Sequence, residues 1–149
     1  MMTNPVSTNG VKTVTAQDIP VTTGRFTISK SFGFSASHEL RLLPKTHKCS
    51  RNHGHNYDVT LLLTADQLDR FGFVTDFGDL APFGDYLRTA LDHRLLNDLI
   101  AIHPTSELLA WHLGQWFIDN VEPNVHGSLV SVEVSETESS SALWERTDG

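Results

Sequence analysis

A chain of 149 residues, 39% of them hydrophobic, is the size of one compact domain and carries enough apolar side chains for a single core. Its formal charge of −7 argues against nucleic acid or an anionic membrane as the main partner, since both demand a basic face. The single cysteine excludes an intramolecular disulfide, no run approaches the roughly 20 apolar residues of a membrane span, and the N-terminus lacks the regions of a secretion signal; a cytoplasmic location is expected.

Residues 1–24 are rich in Thr, Asn and Val, contain Pro5, Pro20 and Gly24, and show no sustained period, which reads as a flexible leader before one domain over 25–149. From there Phe26, Ile28, Phe32, Phe34 and Ala36 alternate with polar or small residues, the period of a half-buried strand, and His38 continues the apolar face. A loop through Pro44 follows, holding Arg41, Lys45, His47, Lys48 and Arg51. Tyr57, Val59, Leu61 and Leu63 then mark a second strand, and His53 and His55 precede its apolar face in phase. Histidines at i and i+2 on a strand project from the same side, so both rings can reach one ion.

Leu80, Phe83, Leu87, Ala90 and Leu91 recur at helical steps, with Asp79 as the expected cap, Pro82 in the first turn and an end near Arg94 to Asn97. A second helix follows Thr105, whose hydroxyl can cap it, with Glu107 in the first turn and Leu109, Leu113, Trp116 and Phe117 as the stripe; Gly114 fits that helix least. Val130, Val132 and Val134 form a third strand, with Glu136 in phase on the face expected to be buried, and residues 142–146 a fourth. This order predicts an α+β fold: a four-stranded antiparallel sheet with two helices on one face.

The densest chemistry lies in Cys49-Ser50-Arg51-Asn52-His53-Gly54-His55, together with His38. A lone histidine on an apolar face is more often a hydrogen-bonded core residue, but three neutral imidazoles with an open fourth position form a catalytic zinc site. Cys49 decides between two classes of function. As a fourth ligand it closes a structural site; as a free thiol in basic surroundings near zinc it tends to the thiolate and can move protons. Asp92-His93 offers a carboxylate and imidazole able to exchange protons with a thiol, although such pairs are common on solvated helix ends. Glu136 either marks a strand leaving the core or grips a guanidine-like edge, such as that of a pterin, with two parallel hydrogen bonds. The cluster of Lys45, Lys48 and Arg51 reads as a solvated loop or as an anion pocket.

These residues resemble the 6-pyruvoyl-tetrahydropterin synthase and 6-carboxy-tetrahydropterin synthase family over nearly all of 26–146. The likeness rests on Phe34-Ser35-Ala36-Ser37-His38, His47-Lys48-Cys49 leading to His53-Gly54-His55, Val74-Thr75-Asp76-Phe77-Gly78-Asp79-Leu80, Leu91-Asp92-His93-Arg94-Leu95-Leu96-Asn97, Pro104-Thr105-Ser106-Glu107 and Val134-Ser135-Glu136-Thr137. The resemblance implies that His38, His53 and His55 bind zinc, Cys49 accepts a proton, Asp92 and His93 form its relay, and Glu136 anchors the pterin, with Thr105 and Glu107 beside it. It further implies the tunnelling fold, in which subunit sheets join into a barrel with active sites at subunit contacts, commonly as a hexamer of two trimers. Two positions depart from the pattern: Glu39 stands where relatives often carry Arg, and Leu108 where Asn is expected.

Cys49 lies four residues before His53, as in the bacterial carboxy-tetrahydropterin branch, which converts 7,8-dihydroneopterin triphosphate to 6-carboxy-5,6,7,8-tetrahydropterin on the route to 7-deazaguanines such as queuosine. Lys45, Lys48 and Arg51 then suit the triphosphate. The other readings are a pyruvoyl synthase, which removes triphosphate without breaking the side chain, and a non-catalytic pterin-binding protein with a closed zinc site.

Overall fold

The computed structural model describes residues 13–147; residues 1–12, half of the expected leader, lie outside them. Two long strands, β1 (Phe26–His38) and β2 (His53–Ala65), pair antiparallel along their whole length, from Phe26 opposite Ala65 to His38 opposite His53. Alternation puts Phe34 and Ala36 of β1 with Tyr57, Val59, Leu61 and Leu63 of β2 on one buried face. The histidines continue that phase, so they arrive on the core side at the loop end of the hairpin.

A two-residue strand, β3 (Arg94–Leu95), lies parallel to β1; β4 (Ser128–Thr137) pairs with β2, and β5 (Ser140–Glu145) with β4. The sheet therefore has five strands in the order β3-β1-β2-β4-β5, against the four expected, and it is not wholly antiparallel. Two residues are too few to show a period, which is why β3 escaped the sequence reading. A bulge also corrects the third predicted strand. Leu62 pairs with Ser131 but Leu63 with Leu129, so Leu129 and Val132 reach the core while Val130 stays half-buried.

The first helix opens with a 3-10 turn over Phe77–Leu80, runs as α1 (Ala81–Tyr86) and widens into a π turn over Leu87–Leu91. Its cap is Asp76, whose carboxylate accepts the Gly78 N–H at 2.9 Å, and not Asp79. It stops at Leu91, short of the expected Arg94 to Asn97, because the next two residues bond to β1. Asp92 Oδ1 accepts the Ser35 N–H at 2.8 Å, and His93, at φ 60, donates its N–H to Ser35 O at 2.6 Å.

Helix α2 (Ser106–Asn120) starts as predicted, with Thr105 Oγ1 accepting the Leu108 N–H at 3.2 Å. Both helices pack on the same sheet face: the Phe83 ring centre lies 5.2 Å from that of Phe32 and 5.9 Å from that of Phe117. Gly114 has a packing reason, since a Cβ there would lie 2.5 Å from the Trp144 ring of β5. Ahead of β1, Gln67 holds the Thr22 peptide from both sides and Arg25 pairs with Asp66. Among the described residues no helix is long and apolar enough to cross a membrane.

Candidate metal centre

His38, His53 and His55 each offer one ring nitrogen, and these atoms lie within 4.8 Å of one another. Strand phase accounts for the meeting: His38 ends β1, and His53 and His55 begin β2 directly opposite. His38 is fully buried, and burial holds its pKa below the ordinary 6.5, outweighing its hydrogen bond to Pro104 O and the nearby Glu136 charge, which raise it. A buried neutral imidazole is in the protonation state that ligates metal.

The outward nitrogens fix the tautomers. His38 Nδ1–H donates to Pro104 O at 2.7 Å, and His53 Nδ1–H donates to Arg51 O at 2.7 Å. A carbonyl only accepts, so both Nε2 atoms carry lone pairs, yet they face each other at 2.9 Å. Two lone pairs at that distance repel unless a cation stands against both. The third nitrogen, His55 Nε2, is buried and has no hydrogen bond among the described residues, with Glu136 Oε2 3.5 Å away. Facing lone pairs and an orphaned buried nitrogen both fit a bound metal ion.

Around this centre Tyr57 is buried against the Phe34 ring, with its hydroxyl 3.3 Å from His38 Nδ1. Burial, helped by the Glu136 charge, pushes the Tyr57 phenol well above its usual range, so it stays neutral. Glu136 is half-buried, and its Oε1 accepts the Ser106 Oγ–H at 2.6 Å. Neither Ser106 nor the Pro104 carbonyl was singled out in the sequence for this work; the run Pro104-Thr105-Ser106 places both at the start of α2 beside the metal centre.

Cys49 sits half-buried in the 3-10 turn Lys48–Ser50, its N–H donating to His47 Nδ1 at 3.0 Å. Its carbonyl accepts the Leu40 N–H at 3.0 Å, which closes the loop back onto the chain two residues past His38. Among the described residues the cluster that could hold a metal ion is the three histidines and does not include Cys49. Asp92 and His93 are not brought to this thiol: among the described residues no hydrogen bond joins them to Cys49. His93 is 82% exposed, its Nε2 3.6 Å from Asp92 Oδ2, and it lines a cavity of about 380 Å³ with Ser35, Ser37, Asn56 and Arg94 on the polar sheet face. Thr105 spends its hydroxyl on the helix cap, and Glu107 is exposed. Lys45, Lys48 and Arg51 are exposed and, among the described residues, form no ion pair, whereas Arg41 is neutralised by Glu39 at 2.8 Å.

Residues 27–147 match the family model described as 6-pyruvoyl tetrahydropterin synthase. A Bacillus subtilis protein named 6-carboxy-5,6,7,8-tetrahydropterin synthase is 31% identical over 138 residues, 83% of this chain and 88% of that one. An Archaeoglobus fulgidus protein named as a putative enzyme of the same kind is 39% identical over 80 residues, 54% of this chain and 65% of that protein's length. The fold is also that of a solved Caenorhabditis elegans 6-pyruvoyl tetrahydropterin synthase, at TM-score 0.72 and 24% identity over 84% of this chain and 98% of that one. An uncharacterized Wolinella succinogenes protein superposes at TM-score 0.73 and 22% identity, covering 84% of this chain and 100% of that one. With the match running from the start of β1 to past the end of β5, the chain belongs to the 6-pyruvoyl tetrahydropterin synthase family.

Proposed function

We propose that this chain is a zinc-dependent lyase that converts 7,8-dihydroneopterin triphosphate and water to 6-carboxy-5,6,7,8-tetrahydropterin, releasing acetaldehyde and triphosphate, in 7-deazaguanine or queuosine biosynthesis. The observation that carries it is the three-imidazole cluster with its two facing lone pairs, on a chain whose Bacillus subtilis relative is named for that product. His38, His53 and His55 would hold the zinc, which would supply a Lewis acid for oxygens of the substrate side chain.

The protein's own groups do the rest. Glu136, oriented by Ser106 next to His55, presents a carboxylate to the guanidine-like edge of the pterin and so sets the ring's distance from the metal. Cys49, as thiolate, takes a proton from the substrate side chain. Asp92 is fixed by the Ser35 N–H through one oxygen and turns the other towards His93, which holds or passes on the proton. Thr105 and Glu107 lie beside the ring, and Lys45, Lys48 and Arg51 offer exposed positive charge to the triphosphate. Because His93 is exposed and not bonded to Cys49 of its own chain, the reading includes assembly: the relay of one copy meets the thiol of another in a barrel, as a hexamer of two trimers.

The test is to incubate zinc-loaded protein with 7,8-dihydroneopterin triphosphate and follow pterin masses and acetaldehyde together. A carboxy-tetrahydropterin with stoichiometric acetaldehyde is expected. A pyruvoyl product without acetaldehyde assigns the chain to the sister reaction, and unchanged substrate counts against both. A Cys49→Ala protein that kept its zinc and full turnover would remove the thiol from the mechanism.

A further inference from the structure

The segment that follows the first helix is fastened to the end of β1 at four of the five residues Ser35–Glu39. Ser35 is held at both polar atoms, its N–H by Asp92 Oδ1 and its carbonyl by the His93 N–H. Ala36 and Ser37 pair with Arg94 and Leu95 through the backbone. Then comes His38, whose ring faces the metal centre, and beyond it Glu39 is gripped by a side chain: its N–H donates to Asn97 Oδ1 at 2.8 Å, and its carbonyl accepts from Asn97 Nδ2 at 2.9 Å. The 3-10 turn over Leu96–Asp98 takes the backbone away from β1, so the Asn97 amide continues the ladder where the main chain no longer can.

The position of this clamp is its significance. His38 is the last residue of β1, and a strand end ordinarily frays; its ring must nevertheless stay between Pro104 O and the Nε2 atoms of the other two histidines. The ring contacts to Pro104 O and the Tyr57 hydroxyl, the pairing to His53 and the Leu40 N–H bond to Cys49 O hold the chain on either side, and leave Glu39 between them free to turn its own N–H and carbonyl. Asn97 removes that freedom with two hydrogen bonds to one peptide-flanked residue, and Asn97 is itself partly buried, which keeps water from competing.

We infer that Asn97 is a positioning residue for the metal centre, fixing the His38 ligand through the backbone of Glu39. This rests on His38 being a metal ligand, and on no other part of the proposed reaction. A residue acting this way belongs to the outer layer that orients ligands, whose loss typically weakens metal binding about 10- to 100-fold.

The experiment measures the zinc dissociation constant by competition with a chromophoric chelator, and the visible spectrum of the cobalt-substituted protein, for the unmodified chain, Asn97→Ala and Asn97→Asp. Asn97→Asp keeps the acceptor for the Glu39 N–H but loses the donor, and it guards against an alanine variant that does not fold. Gln67→Ala is the matched control: Gln67 makes the same two-point grip on Thr22, with Nε2 2.9 Å from Thr22 O, at the opposite end of β1. The expected result is zinc binding weakened about 10-fold or more in both Asn97 variants, with a changed cobalt spectrum, while Gln67→Ala binds as the unmodified protein does. Zinc affinity and cobalt spectrum unchanged in folded Asn97 variants overturn the inference. An unmodified protein that binds no zinc overturns the metal centre itself, a separate outcome.

Discussion

At the scale of single residues, the site is built from hydrogen bonds that remove choices. The carbonyls of Pro104 and Arg51 set the tautomers of His38 and His53, and Ser106 sets one oxygen of Glu136. Glu136→Gln keeps an acceptor for Ser106 but loses the charge a guanidine-like edge selects, so it is expected to weaken pterin binding at least tenfold while zinc content, read by metal analysis, stays at the unmodified level. Burial also holds His112 below 6.5, as it does His38; His112 Nε2 and the Tyr86 hydroxyl share a hydrogen bond of 2.9 Å between the two helices. Below 6.5 the unfolded chain takes up protons that the folded histidines refuse. Stability of the metal-free protein is therefore complete above that value and declines as the pH falls through the depressed folded values. Urea midpoints should drop between about pH 7.5 and about pH 5.5, and His112→Gln should shrink the drop. An unchanged drop removes His112 from the account.

At the scale of elements, alternation and helical spacing were enough to find β1, β2 and α2 and to put His38, His53 and His55 on one face, because strand phase is a local property. What escaped was decided by partners far along the chain. Asp92 ends the first helix by bonding Ser35, 57 residues away, and Ser106 reaches Glu136 across 30 residues. The bulge that turns Val130 off the core face depends on the register with β2, and β3 exists only because β1 offers it an edge. Gly114 shows the same logic: propensity favours alanine in mid-helix by about 1 kcal/mol, but the Trp144 ring occupies the space of a methyl group. Gly114→Ala is expected to destabilise the protein by about 1–3 kcal/mol in chemical denaturation, and a stabilised variant would contradict the packing.

At the scale of the whole molecule, the parts named for catalysis do not all meet within one chain. The three histidines do, with Glu136 beside them, whereas Cys49 is outside that cluster and, among the described residues, no hydrogen bond joins it to the Asp92–His93 pair; β3 covers β1 only at Ala36 and Ser37, leaving an edge for another sheet. If active sites form between copies, Cys49→Ala and His93→Ala proteins, each inactive alone, should regain part of the activity when unfolded and refolded together. Mixtures as inactive as their components would place the relay elsewhere. The central claim is that a metal ion held by the three imidazoles is required for cleavage of the pterin side chain. The most direct test follows acetaldehyde and 6-carboxy-5,6,7,8-tetrahydropterin from chelator-stripped protein, then adds back one equivalent of zinc per chain. The account predicts no product when stripped, recovery on zinc addition, and no recovery in His53→Ala; full turnover by the stripped protein would contradict it.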